Sequence, residues 1–177
     1  MLNNFRLRCG KSVGFTLIEL LITIAILALL LALAAPGFSA FIKNTQIRTA
    51  AEVIQNGLQL ARGEAIRRNV PVQFSLTSVV AGGGDTGMSD WAVSVVSTGE
   101  VIQSRLAAEG SRNVTVTAAQ PTVIFNGLGR ANAVSAISVN PDSGSCSTFR
   151  CLNVRVSVGG QIRMCDENRP DGDPQKC

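Results

Sequence analysis

The 177-residue sequence contains no histidine and no tyrosine, and its aromatic side chains are seven phenylalanines and one tryptophan. Histidine is the commonest general base and metal ligand near neutral pH, so its absence argues against most hydrolases and metalloenzymes. No other nucleophile and base can be paired by motif, since Lys43 and Lys176 stand in no catalytic pattern. We therefore expect a protein that is not an enzyme and that binds neither a metal nor a cofactor.

Charged residues are also scarce, at 16% of the chain, and 16 basic against 12 acidic residues give a net charge of +4. Arg6, Arg8 and Lys11 all precede Gly14. A chain that begins at Phe15 therefore has 13 basic and 12 acidic residues and is nearly neutral. The overall charge is no argument for nucleic-acid binding, and any basic surface must be a local one.

Cysteine is absent from the whole middle of the sequence. Cys9 lies near the start, and four cysteines crowd into the last 32 residues. An even number indicates two disulfides and an oxidising compartment, with three connectivities open. A zinc site is disfavoured because no C-x-x-C pair is present. The candidate disulfide cysteines are Cys146, Cys151, Cys165 and Cys177.

One long apolar run is present, from Phe15 to Ala35, and Glu19 is its only charge. As a helix the run would be about 31 Å long at 1.5 Å per residue, enough for a membrane span. A secretory signal peptide has a shorter apolar stretch, and here it would be cut near Ala34. A plain anchor leaves the charge unexplained, because a carboxylate costs roughly 2.5–3.5 kcal/mol at the bilayer centre. A lipoprotein would need its cysteine after the run, not before it.

The string KSVGFTLIELL, residues 11–21, resembles the N-terminus of type IV prepilins and type II secretion pseudopilins. The resemblance implies that a prepilin peptidase cleaves between Gly14 and Phe15 on the cytoplasmic side and that Phe15 is then N-methylated. It also implies that the apolar helix serves first as a membrane anchor and then as filament core. Glu19 would pair with the N-terminal ammonium of an adjacent subunit, because a buried charge persists only when it is paired.

The pattern after the apolar run predicts an α+β fold. Pro36 predicts a kink, and apolar residues at three- and four-residue spacing continue the helix to about Arg68. Eight short alternating runs after Pro71 predict an antiparallel sheet packed on the helix. The domains are thus a leader (1–14), an apolar helix (15–35), an amphipathic half-helix (36–70) and a β-rich head (71–177). The helical stripe consists of Ile47, Ala50, Ile54, Leu58, Ala61 and Ala65.

The last two strands flank two glycines. A three-residue loop over 159–161 would pair Val158 with Ile162 and Val156 with Met164, which places the apolar side chains on one face. The opposite, outward face of this hairpin then carries Arg155, Ser157, Arg163 and Cys165.

Residues 58–72, LQLARGEAIRRNVPV, and 123–131, VIFNGLGRA, resemble the GspH/FimT family of minor pilins, which includes FimT/FimU-like proteins. This implies a structural minor subunit of a type IV pilus that primes assembly or links the tip to the major pilin. A GspH-like pseudopilin of type II secretion is the alternative. The implied partners are other pilins, the prepilin peptidase and the inner-membrane assembly platform. The implied location is a single pass of the inner membrane, followed by an extracellular or periplasmic filament.

Some proteins of this family bind DNA for natural transformation through a motif resembling Gly-Arg-x-Arg. The matching stretch here is GQIR, residues 160–163, in which Gln161 replaces the first arginine. Arg155, Arg163 and Arg169 remain candidates for phosphate contacts, with Arg150 as a further one. Four acidic residues at 166, 167, 171 and 173 oppose such binding, so we favour a solvated strand face and keep DNA as an alternative partner.

Overall fold

The computed structural model describes residues 14–77, 90–106 and 114–177, with the side chains of 33–37 excepted. The predicted leader therefore lies outside the described residues, apart from Gly14. Contacts divide the chain into two compact units, Met1–Ser39 and Ala40–Cys177. The elements are α1 (Leu17–Arg68), β1 (Val72–Leu76), β2 (Trp91–Val95), β3 (Val101–Arg105), β4 (Val114–Ala118), β5 (Thr122–Phe125), β6 (Ser135–Pro141), β7 (Leu152–Val156) and β8 (Ile162–Asp166).

Helix α1 has a cap at each end that the local sequence explains. The Thr16 hydroxyl accepts a hydrogen bond from the backbone N–H of Glu19 at 3.2 Å, which is the N-cap half of a capping box. At the other end Asn69 has φ 53°, a left-handed cap, and Pro71 follows. The helical assignment includes Pro36, whose side chain lies outside the described part, so the kink stays a prediction.

The membrane span predicted over 15–35 also stays a prediction. Among the described residues, no helix combines the length and the hydropathy needed to cross a membrane.

The eight predicted strands are present, but they form two antiparallel sheets where the sequence suggested one. The first sheet has the order β3-β2-β1-β5 and the second has the order β4-β6-β7-β8. The division arises because β5 returns to pair with β1, placing Phe125 opposite Val72, while β4 pairs with β6. Consecutive strands β4 and β5 therefore belong to different sheets.

The predicted helical stripe is confirmed as core, since all six of its residues are buried, together with Ala51. Phe74 and Phe125 are fully buried against it. Trp91 is 4% exposed, and its ring lies 5.6 Å from that of Phe74. The small residues of the stripe let the helix approach these large side chains closely.

Gly57 is the point of closest approach between α1 and the aromatic pair. A Cβ added at Gly57 would lie 2.8 Å from Phe74 Cε2 and 3.2 Å from Trp91 Cε2. We expect Gly57→Ala to lower the free energy of unfolding by about 1–3 kcal/mol, because overpacking against buried rings outweighs a gain of roughly 1 kcal/mol in helix propensity. Denaturation of the full chain, followed by the fluorescence of Trp91, measures the change.

Gly63 provides the matched control on the same helix. It is exposed, and an added Cβ would meet nothing within 4 Å. Gly63→Ala should therefore raise the free energy of unfolding by about 0.5–1 kcal/mol. Two substitutions that shift stability in the same direction would contradict this packing of Gly57.

The register predicted for the β7–β8 hairpin is wrong by two residues, although the predicted alternation of faces along the two strands is correct. Val156 pairs with Ile162 and Val154 with Met164. The three-residue loop is 158–160, because the backbone N–H of Ser157 already bonds to the Gln161 carbonyl at 3.0 Å. The third loop residue, Gly160, has φ +79°, which glycine adopts without strain. A shift of two residues preserves the alternation along the strands, but Val158, predicted to face inward, lies in the turn and is 41% exposed, and Cys165, predicted to face outward, is buried and bonded to Cys177.

Candidate assembly and binding surfaces

The first turns of α1 carry an apolar surface that its own unit does not cover. Every large apolar side chain from Phe15 to Leu31 is more than half exposed, and Phe15 and Leu17 are 82% exposed. Contiguous apolar surface of this extent marks a site for lipid or for other protein chains. This segment therefore presents a surface suited to lipid or to other protein chains.

Glu19 stands on this apolar surface and is itself exposed. Within the described residues no group donates a hydrogen bond to its carboxylate. It lies four residues after Phe15, about 6 Å along a helix. A carboxylate in the first turn is also favoured by the helix dipole. Glu19 can therefore accept an ammonium group brought by another chain. The T-x-x-E spacing of residues 16–19 also signals the N-cap at Thr16, which the sequence analysis missed.

The two segments that resemble minor pilins in the head, 58–72 and 123–131, pack against each other where α1 ends. A Cβ added at Gly129 would lie 2.7 Å from Ile66 Cδ1 and 3.1 Å from Arg62 Nε. A Cβ at Gly127 would overlap the Asn69 side chain, and one at Gly160 would overlap the Gly129 carbonyl oxygen. Glycine is thus required for packing here. We call this set the glycine junction: Arg62, Ile66, Asn69, Gly127, Gly129 and Gly160.

Asn126 orders the tip of the loop between β5 and β6. The Asn126 Oδ1 atom accepts hydrogen bonds from the backbone N–H groups of Leu128 and Arg130, each at 3.0 Å. The backbone N–H of Asn126 bonds to the Arg130 carbonyl at 3.0 Å, which closes the loop. At its tip Leu128 is 80% exposed. A tightly bonded loop thus presents a large apolar side chain to solvent.

Arg155 and Arg163 are brought together on the outward face of the β7–β8 hairpin. They are direct cross-strand partners and both are exposed. Arg155 Nη1 donates to the Cys177 carbonyl oxygen at 2.9 Å, whereas Arg163 has no hydrogen-bond or ion-pair partner within the described residues. They line a shallow cavity of about 280 Å³ together with Gln161. Like charges directly opposite each other repel, so this pair is suited to an anion.

Arg169 does not join that pair. It hydrogen-bonds Asp173 at 3.4 Å and Gln175 at 3.1 Å. With Arg150 it lines a different cavity, of about 360 Å³. The nearby carboxylates are also engaged, since Glu167 accepts from Asn153 and the remaining three pair with basic residues.

The structure joins Cys146 to Cys151 and Cys165 to Cys177. The second disulfide holds the last residues against the edge strand β8. The backbone N–H of Asp166 donates to the Gln175 carbonyl at 2.8 Å there. This contact places the Cys177 carbonyl within reach of Arg155.

The sequence segments that contain the exposed apolar helix, Glu19 and the glycine junction match two known families. Residues 14–35 match the prokaryotic N-terminal methylation motif. Residues 50–160, more than half of the chain, match the family described as type II transport protein GspH. The chain belongs to this GspH family of minor pilins and pseudopilins. Such a subunit is structural, is anchored in a membrane and assembles with other pilins into a filament.

Two solved structures have a similar fold. The type IV minor pilin FimU of Pseudomonas aeruginosa is 15% identical, with a TM-score of 0.54, over 77% of this chain and 98% of FimU. The minor pseudopilin EpsH from the type 2 secretion system of Vibrio cholerae is 12% identical, with a TM-score of 0.52, over 70% of this chain and 99% of EpsH. Among curated proteins, none matches this chain in sequence.

An ion-pair network closes the helix end beside the junction. Glu64 accepts hydrogen bonds from Arg67 Nη2 at 2.6 Å and from Arg68 Nε at 2.8 Å. Arg68 also reaches Glu100 at 3.1 Å, which ties the helix to the start of β3. These hydrogen bonds lower the pKa of Glu64 from 4.5 to about 2.

The lowered pKa of Glu64 predicts acid sensitivity at this helix end. The stabilisation is complete above about pH 4.5, the unfolded pKa, and is lost as the pH falls toward 2, because the unfolded chain takes up a proton first. We expect at most about 1 kcal/mol, since Arg67 is 65% exposed and solvent screens the pair. Glu64→Gln should remove this difference between pH 6 and pH 2. Denaturation at both pH values measures it, with Glu52→Gln as a control in an exposed pair.

Proposed function

We propose that this chain is a minor subunit of a type IV pilus and enters the filament through its apolar N-terminal helix. The observation that carries the proposal is the exposed apolar surface of residues 15–31 with its single carboxylate. Side-by-side packing of such helices would cover the apolar surface. A subunit present in few copies would prime assembly or link the tip to the major pilin.

The processing route follows from the same segment. A prepilin peptidase would cleave between Gly14 and Phe15, and Phe15 would be N-methylated. Before assembly the chain would cross the inner membrane once and be passed to an assembly platform there. In the filament, Glu19 would accept the N-terminal ammonium of an adjacent subunit, which satisfies two groups that are costly to bury unpaired. The kink predicted at Pro36 lies just after the packed segment.

Recovery of the chain in sheared filaments tests the proposal. Filaments are sheared from cells of the native host, washed and probed with an antibody against the head, and the same cells are fractionated for their inner membranes. We expect the chain in both fractions, and only in the membrane when the major pilin gene is deleted. A chain that never appears in pili, and whose loss abolishes type II secretion, would be a secretion pseudopilin instead.

A second candidate function, DNA capture, is favoured by the juxtaposition of Arg155 and Arg163. A phosphate between the two guanidinium groups would relieve their repulsion. The full chain in detergent would then bind double-stranded DNA with an affinity that falls steeply with salt, and Arg155→Ala with Arg163→Ala would abolish binding. Arg169→Ala is the control, because its charge is already engaged by Asp173. Binding that is independent of salt or of both arginines would exclude this function.

A further inference from the structure

An apolar surface flanked by Arg62 and Arg130 surrounds the tip of the β5–β6 loop. Leu128 is 80% exposed, Ile66 on the end of α1 is 49% exposed, and Val158 in the hairpin turn is 41% exposed. Contacts within the glycine junction bring these three segments together. We call this surface the Leu128 patch: Arg62, Ile66, Leu128, Arg130 and Val158.

Arg62 is the anomalous member of the patch. Its Nε atom is buried and, within the described residues, has no hydrogen-bond partner. The atom lies between two turns, since a Cβ added at Gly129 or Gly160 would come within 3.1 or 3.2 Å of it. The nearest acidic residue along the helix, Glu64, is engaged by Arg67 and Arg68. A guanidinium that is partly desolvated without an acceptor is destabilising until an acceptor arrives.

The patch is held in one conformation before any partner binds. Asn126 fixes the backbone around Leu128 through hydrogen bonds to the next residues. Gly127 packs on Asn69, and Gly129 packs on Ile66, so the loop rests on the end of the helix. Arginine is enriched among the energetically dominant residues of protein interfaces, and a surface that is already ordered loses little conformational entropy on binding.

We propose that the Leu128 patch is the contact surface for a neighbouring subunit of a different kind in the same filament. That subunit offers an apolar cleft that receives Leu128 and a carboxylate that accepts hydrogen bonds from Arg62. The positive charge of the patch favours a partner with a carboxylate. The patch carries two arginines whose side chains have no partner in the described part of the chain, and it contains no acidic residue. The proposal rests on the filament function proposed above.

Photocrosslinking in assembled filaments tests the contact directly. The full chain is produced in its native host with p-benzoylphenylalanine at position 128, and, as control, at position 101. Val101 is 59% exposed on strand β3. After irradiation of sheared filaments we expect an adduct at 128, but not at 101, whose tryptic peptides include those of another pilin of that filament. An adduct with a second copy of this chain or with lipid, or no adduct in filaments that contain the chain, would overturn the proposal.

Two substitutions separate binding from folding. Leu128→Ser and Arg62→Met should each lower the number of copies per filament by roughly tenfold or more, the loss expected for an interface anchor. The melting temperature of the full chain in detergent should stay the same for Leu128→Ser, and stay the same or rise for Arg62→Met, because a partly desolvated charge without a hydrogen-bond partner in the described part of the chain is removed. A purely structural role for Arg62 would lower the melting temperature as well. Val101→Ser is the matched surface control.

Counting the copies per filament also distinguishes a failure of the filament function from a failure of the Leu128 contact. If the wild-type chain is absent from filaments, the filament function fails, and this inference fails with it. If the wild-type chain is present and Leu128→Ser enters filaments equally well, only the contact is wrong.

Discussion

Replacing Gly160 by alanine is expected to lower the free energy of unfolding by about 2–4 kcal/mol, the largest stability effect that we foresee for a single methyl group in the head. Two causes combine. The backbone has φ +79°, where an L-residue is strained by about 1–2 kcal/mol. The added Cβ would also overlap the Gly129 carbonyl oxygen, which belongs to the backbone of a second loop and cannot rotate away. The turn and the β5–β6 loop would have to separate.

Two other glycines divide this effect into its causes. Gly159 lies in the same turn without a positive φ, and an added Cβ would be 3.7 Å from the Ser157 hydroxyl oxygen. Gly159→Ala should be neutral or stabilising by up to about 1 kcal/mol. Gly172 has φ +93° with nothing within 4 Å, so Gly172→Ala should show the strain alone, at about 1 kcal/mol. Chemical denaturation followed by Trp91 fluorescence compares all three, and equal losses at 160 and 172 would exclude the overlap.

Removing the charge of Glu19 is expected to have the largest effect on assembly. Breaking a buried ion pair by removing one partner costs about 3–5 kcal/mol, which corresponds to a loss of roughly a hundredfold or more in incorporation. Glu19→Gln keeps a side chain that can complete a capping box, so it isolates the charge from the cap. We expect this variant to be cleaved normally and to remain in the membrane fraction. Quantitative blotting of sheared filaments measures the loss.

Thr16→Ala is the control for the N-cap at the start of the helix. It removes the hydroxyl group that accepts the Glu19 N–H and should cost about 1 kcal/mol of helix stability, while the carboxylate remains. If Glu19 acted only at the helix start, Thr16→Ala and Glu19→Gln would reduce assembly by similar amounts. A much larger effect of Glu19→Gln is the result that pairing predicts.

The helix and the strands were predictable because their signals are local. The three- and four-residue spacing from Ile47 to Ala65 specifies which face of α1 is buried, and the capped end at Asn69 precedes a proline. The alternation of apolar and polar residues identified each strand, because a half-buried strand shows this two-residue period within only five residues. The alternating faces of the last hairpin were predicted correctly for the same reason.

Features that depend on distant residues were not predictable in this way. The hairpin register was missed because a shift of two residues leaves the alternation of faces unchanged. The two registers differ in the conformation of Gly160 and in the hydrogen bond between Ser157 and Gln161. The division into two sheets depends on the pairing of β1 with β5, about 50 residues apart. The resemblance to minor pilins pointed to residues 123–131 but did not explain their glycines. Gly127 and Gly129 contact residues at the end of α1 and at Asn69, which are distant in sequence. The Arg62 Nε atom, which is buried without a hydrogen-bond partner among the described residues, gives no signal in the sequence.

The most direct test of the filament account is the intact mass of the chain recovered from sheared filaments, before and after reduction. The account predicts a chain that has lost residues 1–14, carries one added methyl group on Phe15 and gains the mass of four hydrogen atoms when Cys146–Cys151 and Cys165–Cys177 are reduced. An uncleaved chain, or one cut near Ala34, would contradict it. Without the segment from Phe15 to Leu31 there would be no apolar surface to pack and no position for Glu19 in the filament.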